Sequence, residues 1–476
     1  MQFRFSDFDE FRTARGRLDQ SMRFTKVGSL LSMLLALFAG EAVAAPPEIS
    51  AQAELGKSLF FDAQLSNPVG QSCASCHAPA TGFTFPDSEI NLLLGPVPGA
   101  VKGRFGNRKP PTVSYAKFIP QGPPQYSEDL QAFMGGLFWD GRATNLTTQA
   151  TFPFQNPNEM NNVVHNVGSP QEVVEEVAHG PYAKLFTQVY GVGPLEIPTA
   201  QSFLLICEAI AAYEATEEVS PFSSKYDAYL AGKVKLSNSE FTGLMLVTGS
   251  TTGRPGGPPS HKFAQCVLCH GIPADRTFGA DIWTNSCYAN IGAPKNPTNP
   301  YYEETNSVTN PLGYNRFGKA FIDLGLGGSL YPAMGLPPGN IGPGSNGHGD
   351  FLAINGTFKA PTLRNVATRP RPGFVKCYTH NGVFKSLKQI VHFYNTRNLT
   401  TAPGEVIDFT KAKPYAGLKG FPLWPTPEYP SPITLQNPSG APASADSQVG
   451  NLGLTDQEEN DIVAFLQTLS DGFFNP

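Results

Sequence analysis

Charge is scarce in this chain of 476 residues: Asp, Glu, Lys and Arg together make up only 15%. The net charge is −5 and the pI about 5.9. There is no basic footprint for a phosphate backbone, and nucleic acid is excluded as a partner. Long apolar runs are lacking too. The one candidate extends from Val27 to Ala39, short of the roughly 20 residues that a bilayer span requires. No membrane span is expected in the mature chain. Strand-like alternation is weak, which points to a mainly α class. Tryptophan is rare, with 3 residues, and no histidine lies between His77 and His165. Gly (48) and Pro (44) are plentiful. That is below the level of a disordered chain but enough for long ordered loops.

The seven cysteines are not scattered. Cys73-Ala74-Ser75-Cys76-His77 and Cys266-Val267-Leu268-Cys269-His270 are two copies of Cys-x-x-Cys-His. Each copy reads as a covalent c-type haem site: two thiols for the two vinyl groups, and His77 or His270 as proximal iron ligand. A zinc site or thioredoxin-like dithiols are the alternatives. A zinc ribbon spaces its pairs by about 15 to 20 residues, whereas these pairs lie in opposite halves of the chain. Two haem c groups are therefore expected, bound through Cys73, Cys76, Cys266 and Cys269.

The apolar run sits between Met22-Arg-Phe-Thr-Lys26 and Ala42-Val-Ala44. These are a basic n-region, an h-region and an A-x-A cleavage site. Residues 1–45 thus read as leader and signal peptide, with Met22 the candidate start; an N-terminal anchor is the alternative. Export to the periplasm agrees with covalent haem attachment and permits a disulfide among Cys207, Cys287 and Cys377, leaving at least one unpaired.

Two segments repeat a loose plan. Glu54 to Phe61 precedes the first motif and Glu240 to Val247 the second. Each predicts a helix whose apolar stripe covers a haem edge. Two cytochrome c-like haem domains with long ordered loops follow, 46–232 and 233–476. Ser237 to Glu240 and Thr455 to Glu458 read as capping boxes, and Ser169 to Glu172 as a helix start with Pro at its first position. A further helix is expected over 199–217. Residues 249–260, 292–300, 335–350 and 400–450 read as loops.

A proximal histidine leaves the opposite face of each iron open, and that face decides between electron transfer and peroxide chemistry. Between His77 and His165 only Met134 and Met160 offer sulfur. The first haem is expected to lack a distal ligand. Gln149 and Glu159 are candidates for moving a proton there.

With these pieces assembled, the chain resembles the bacterial di-haem cytochrome c peroxidases, a family that includes the MauG-type enzymes. The matching segments are Leu-Gly-Lys-Ser-Leu-Phe-Phe-Asp (55–62), both haem motifs, Phe-Trp-Asp-Gly-Arg (138–142), Asn-Pro-Asn-Glu-Met (156–160), Pro-Thr-Leu-Arg-Asn (361–365) and His-Asn-Gly (380–382). The resemblance implies hydrogen peroxide as substrate at the first, peroxidatic haem. It makes Trp139 the link between the haems, and Gln149 and Glu159 the distal pair. Asp140 and Arg142 read as braces of the turn. The position where peroxidases carry methionine on the second haem is Tyr394, as in the MauG-type branch, with Met334 the alternative ligand. An anionic phenolate favours ferric iron. The expectation is a periplasmic oxidoreductase that shares oxidising equivalents between haems and spends them on a partner protein. The alternatives are a cytochrome c peroxidase fed by a small donor cytochrome, and a non-catalytic electron-transfer cytochrome. The family also binds one calcium ion between its domains. Here Lys109 stands where it uses Asn, leaving Asn107 and the carbonyls near Val375 and Cys377.

Overall fold

The computed structural model describes residues 49–474 apart from 129, 131, 165–166, 254–256, 272–280, 305–314, 316, 334–353, 398–399, 402–420, 423, 426 and 430–449. The leader, Met334, His165, the loop 335–350 and most of 400–450 lie outside the described residues. Twelve helices account for most of the described regular structure. They are α1 (Ala51–Phe61), α2 (Cys73–Cys76), α3 (Ser88–Leu93), α4 (Leu146–Gln155), α5 (Gln171–His179), α6 (Ala183–Tyr190), α7 (Thr199–Glu214), α8 (Lys225–Leu230), α9 (Asn238–Thr248), α10 (Leu326–Ala333), α11 (Leu387–Thr396) and α12 (Asp456–Gln467). Strands among the described residues form only two-stranded antiparallel ladders, of which Gln125–Ser127 against Ala132–Met134 is the longest. The class is mainly α. No helix among the described residues is long and apolar enough to cross a membrane.

Local sequence chemistry accounts for several helix starts. Ser237 and Glu240 exchange side-chain and backbone bonds at the head of α9, and Thr455 and Glu458 do so at α12. Each box satisfies donors that the first helical turn leaves unpaired. The start near Ser169 differs from expectation. Pro170 is the cap residue outside the helix, and Ser169 Oγ accepts only the Gln171 N–H at 3.4 Å. Proline supplies the required φ but no side-chain acceptor, so α5 begins without a box.

Beside two small clusters around Tyr288 and Leu137, two large hydrophobic cores form among the described residues. One gathers Leu55, Leu59 and Phe60 of α1 with Phe154, Phe203, Ile206 and Ile210. The other gathers Leu244 and Val247 of α9 with Trp283, Phe393, Ile462 and Phe465. Tyr226 of α8, ahead of the boundary expected near 232, belongs to this second core. The cores are built alike. α1 packs along α7, and α9 along α12. At each crossing a glycine lets the backbones touch: a Cβ on Gly56 would overlap the Ala209 carbonyl, and one on Gly243 the Asp461 carbonyl. The repeated plan seen in the sequence is thus a repeated helix crossing ahead of each Cys-x-x-Cys-His.

That crossing makes a prediction whose sign is diagnostic. Gly→Ala inside a helix ordinarily stabilises by about 1 kcal/mol. Gly56→Ala and Gly243→Ala should instead each cost roughly 1–3 kcal/mol through overpacking. Thermal unfolding of the two variants checks this; a raised midpoint would refute the close approach.

Candidate active site: two cavities that share a tryptophan

The first motif is a single helical turn, α2, closed by a capping box between Ser72 and Ser75. The turn brings Cys73 and Cys76 to one side, and the His77 N–H bonds back to the Cys73 carbonyl at 2.9 Å. The second motif uses a 3₁₀ turn, Cys266–Leu268, with His270 N–H on the Cys266 carbonyl at 2.8 Å. Both imidazoles are then oriented by a carbonyl. His77 Nδ1 bonds Phe83 O at 3.2 Å, and His270 Nδ1 bonds Pro361 O at 2.9 Å. A carbonyl only accepts, so Nδ1 carries the proton in each ring and Nε2 keeps a free lone pair. This is the outer-shell arrangement that fixes a metal-bound histidine. Burial pushes both rings down to about 4, which keeps them neutral near pH 7.

A large cavity opens over each histidine. The first, of about 1500 Å³ including its mouth, is lined by Cys73, Cys76 and His77 and by Gln149 and Glu159. The second, of about 1660 Å³ on the same measure, is lined by Cys266, Cys269, His270 and Tyr394. Thiol pairs, an oriented imidazole and an adjoining cavity fit a covalently held macrocycle at both places. Trp139 lines both cavities, is 7% exposed, and donates its indole N–H to the Lys109 carbonyl at 2.8 Å. It stands in a common wall with Lys109, Pro111, Lys359 and Pro361.

The other expected site residues are distributed unequally. Gln149 comes from α4 and Glu159 from the turn behind it, and both reach the first cavity. Burial raises the Glu159 carboxyl above its ordinary value, against the opposing pull of Arg142. Asp140 braces its turn, pairing with Arg142 at 2.9 Å and with Arg108 at 2.7 Å. Arg142 does more than brace: it lines the first cavity and stacks on Phe138, 3.6 Å from the ring centroid. Met134 lies in a strand and does not line that cavity, whereas Met160 does, while packed in the first core at 3% exposure. Among the described residues His77 is the only histidine there. Tyr394, on α11, faces the second cavity, and burial raises its phenol above the ordinary value. His380 also lines the second cavity, stacked on Phe358 and bonded to Glu428 at 3.1 Å.

Cys207, Cys287 and Cys377 are free and buried, so the disulfide that export would permit does not form. Glu214, which sequence reasoning passed over, is 4% exposed and lines the first cavity; its Oε2 has no hydrogen-bond partner. Burial raises it to about 8. It looked like one more acid near a helix end, and nothing local marked it as buried.

Comparison with known proteins agrees with this geometry. The family described as di-haem cytochrome c peroxidase matches residues 50–235. The methylamine utilization protein MauG of Paracoccus denitrificans is 33% identical over 445 residues, spanning 92% of this chain and 93% of that protein. The chain belongs to the di-haem cytochrome c peroxidase/MauG family. The cytochrome c551 peroxidase of Nitrosomonas europaea is also 33% identical, over 262 residues, 52% of this chain and 63% of that one. The crystal structure of the diheme peroxidase BthA from Burkholderia thailandensis superposes with a TM-score of 0.63 at 27% identity, covering 90% of this chain and 88% of that one. This family member is a di-haem oxidoreductase of peroxidase type, and two haem groups are its cofactors.

Haem counting tests the two sites. A pyridine haemochrome assay should give two haems per chain, both retained on a denaturing gel. Cys73→Ala with Cys76→Ala, or Cys266→Ala with Cys269→Ala, should each lose one. A single haem in the parent would contradict the paired cavities.

Proposed function

We propose that the protein is a periplasmic di-haem c enzyme of MauG type. It accepts hydrogen peroxide at the first cavity and spends the oxidising equivalents on a partner protein. The observation that carries this reading is Trp139 in the wall common to both cavities. Likeness to MauG over nearly the whole chain, against about half for the cytochrome c551 peroxidase, favours the MauG-type branch. The putting together of leader, cleavage site and covalent haem motifs supports the periplasm.

Cys73, Cys76 and His77 would hold the first haem; Cys266, Cys269, His270 and Tyr394 the second. When bound, the haem irons supply peroxide activation and storage of oxidising equivalents. The chain's own residues do the rest. Glu159 accepts a proton from peroxide and returns it to the departing oxygen. Gln149 donates its amide to hold the peroxide beside Glu159. Trp139 joins the two sites through its indole. Tyr394, a neutral phenol in its buried setting, would become an anionic oxygen donor on losing its proton to a bound iron, which would suit ferric and higher iron.

Two readings compete. A peroxidase fed by a small cytochrome would need partial reduction first, usually released by a gating histidine. None but His77 lines the first cavity among the described residues. A non-catalytic cytochrome would need a second ligand there, and Met160 is the thioether that lines that cavity. EPR of the ferric protein separates that case: one high-spin haem supports an open first site, two low-spin haems the cytochrome.

Glu159→Gln should slow the reaction with peroxide by about 10²–10⁴-fold while both haem spectra stay as in the parent. The parent rate should fall as pH drops toward the raised value of Glu159, because only the ionised carboxylate accepts the proton. Stopped-flow rates across pH check both statements, and equal rates in variant and parent would remove Glu159 from the chemistry.

Fully oxidised enzyme mixed with one equivalent of peroxide should change the spectra of both haems without a reductant. Trp139→Ala should confine the change to the first. An oxidised enzyme inert to peroxide until partly reduced would favour the peroxidase reading.

A further inference from the structure

The wall between the cavities carries unusual charge. Lys109 and Lys359 line both cavities, and Lys376 lines the second. Lys109 is 8% exposed and Lys376 4%. The Lys109 ammonium bonds only the Pro110 carbonyl, at 3.1 Å. Lys376 bonds the carbonyls of Thr81 at 2.8 Å and Asn365 at 3.1 Å. The Lys359 ammonium has no hydrogen-bond or ion-pair partner among the described residues. None of the three meets a carboxylate there. The acids of the second cavity are already committed, Asp323 to Arg108 at 2.7 Å and Glu428 to His380 at 3.1 Å; Glu159 and Glu214 line the first cavity but form no ion pair with these lysines.

An ammonium group buried without an anion costs several kcal/mol, so Lys109 and Lys376, and to a lesser degree the half-buried Lys359, are unfavourably placed unless negative charge enters the cavities. Burial accordingly lowers Lys109 and Lys376, and takes Lys359 to about 8. The anionic part of haem is its pair of propionate carboxylates. The remaining walls of the second cavity are largely apolar side chains such as Ala264, Leu387, Ile390 and Leu466.

The same residues do not fit the calcium ion that the family resemblance implies. At position 109 an ammonium replaces a neutral oxygen ligand, and it cannot coordinate a cation. The Val375 carbonyl already accepts Asn91 Nδ2 at 3.1 Å. Lys385, 5% exposed, adds a further ammonium, on the carbonyls of Asn91 at 2.9 Å and Gly382 at 2.7 Å. A divalent cation beside Cys377 would meet the charges of Lys109, Lys376 and Lys385 together.

We propose that Lys109, Lys359 and Lys376 form a built-in cationic seat for the propionate carboxylates where the two haems meet, and that this seat replaces a bound calcium ion. The proposal rests on the reading that both cavities hold haem.

The holoenzyme tests it in two arms. Elemental analysis of purified protein should find no stoichiometric calcium, and EGTA or added calcium should leave the EPR of both haems and the thermal midpoint unchanged. Calcium at one per chain, with spectra that change when EGTA strips it, would overturn the replacement. In the second arm, Lys359→Met and Lys109→Met should move the haem midpoint potentials lower, since losing a nearby positive charge favours ferric iron. Lys359→Arg should restore the parent value, which separates charge from packing. Potentials unmoved in both Met variants would overturn the seat. A protein that carries no haem would instead sink the preceding functional reading.

Discussion

The site depends on a single hydrogen bond more than on any other contact: the Trp139 indole N–H on the Lys109 carbonyl. It fixes a large side chain in a wall made of loops, where no helix would hold its angle. The loop is stiffened on both sides. Phe138 adopts a left-handed conformation at φ 65°, and Gly141 leaves no room for a Cβ against Tyr288, whose hydroxyl bonds the Gly135 carbonyl at 2.7 Å. The Lys109 segment is tied in turn, its N–H meeting the His380 carbonyl at 2.7 Å. Both cavities therefore share one rigid partition, and the position of Trp139 is set by contacts from both halves of the chain.

Buried ion pairs serve the same purpose. Arg108 spans Asp140 and Asp323 at 2.7 Å each. Arg364, with a fully buried side chain, pairs with Asp227 at 2.7 Å and lies over the rings of Tyr115 and Phe222. Desolvation offsets most of the attraction in such pairs. Their worth here lies in direction, because a planar guanidinium bonds a carboxylate in few orientations. Each pair joins segments far apart in sequence and so fixes how the cores meet around the wall.

What was legible in the sequence follows the range of the interaction. The capping boxes at Ser237 and Thr455, the histidine motifs and the α1-like repeat are short-range patterns, and all appear in the fold. Pro170 misled because a proline fits both the cap and the first helical position. That Trp139, Gln149 and Glu159 gather at one cavity was read through family resemblance, not spacing; separate loops and a helix bring them together. Arg142 was read only as a brace of its turn, and Glu214 and Lys359 escaped notice, for the converse reason. Nothing local distinguishes them from surface charges, and their meaning comes only from burial against residues far along the chain.

The two sites start from one motif and diverge through what the rest of the chain brings to the opposite face. Over His77, α4 and the turn after it supply an amide and a carboxyl, with Arg142 beside them, the set to which the proposed function gives proton transfer and the binding of peroxide. Over His270, α11 supplies Tyr394 among Leu387, Ile390 and Val391, a setting with one oxygen and otherwise hydrocarbon. The amide and carboxyl pair is thus particular to the first cavity, while the polar groups of the second, such as Asp323, His380 and Glu428, come from elements other than α11. A wall that blocks molecules but holds an indole is the partition such an asymmetry requires. On the proposed reading it would keep peroxide and its protons on one side while leaving an aromatic path between the two.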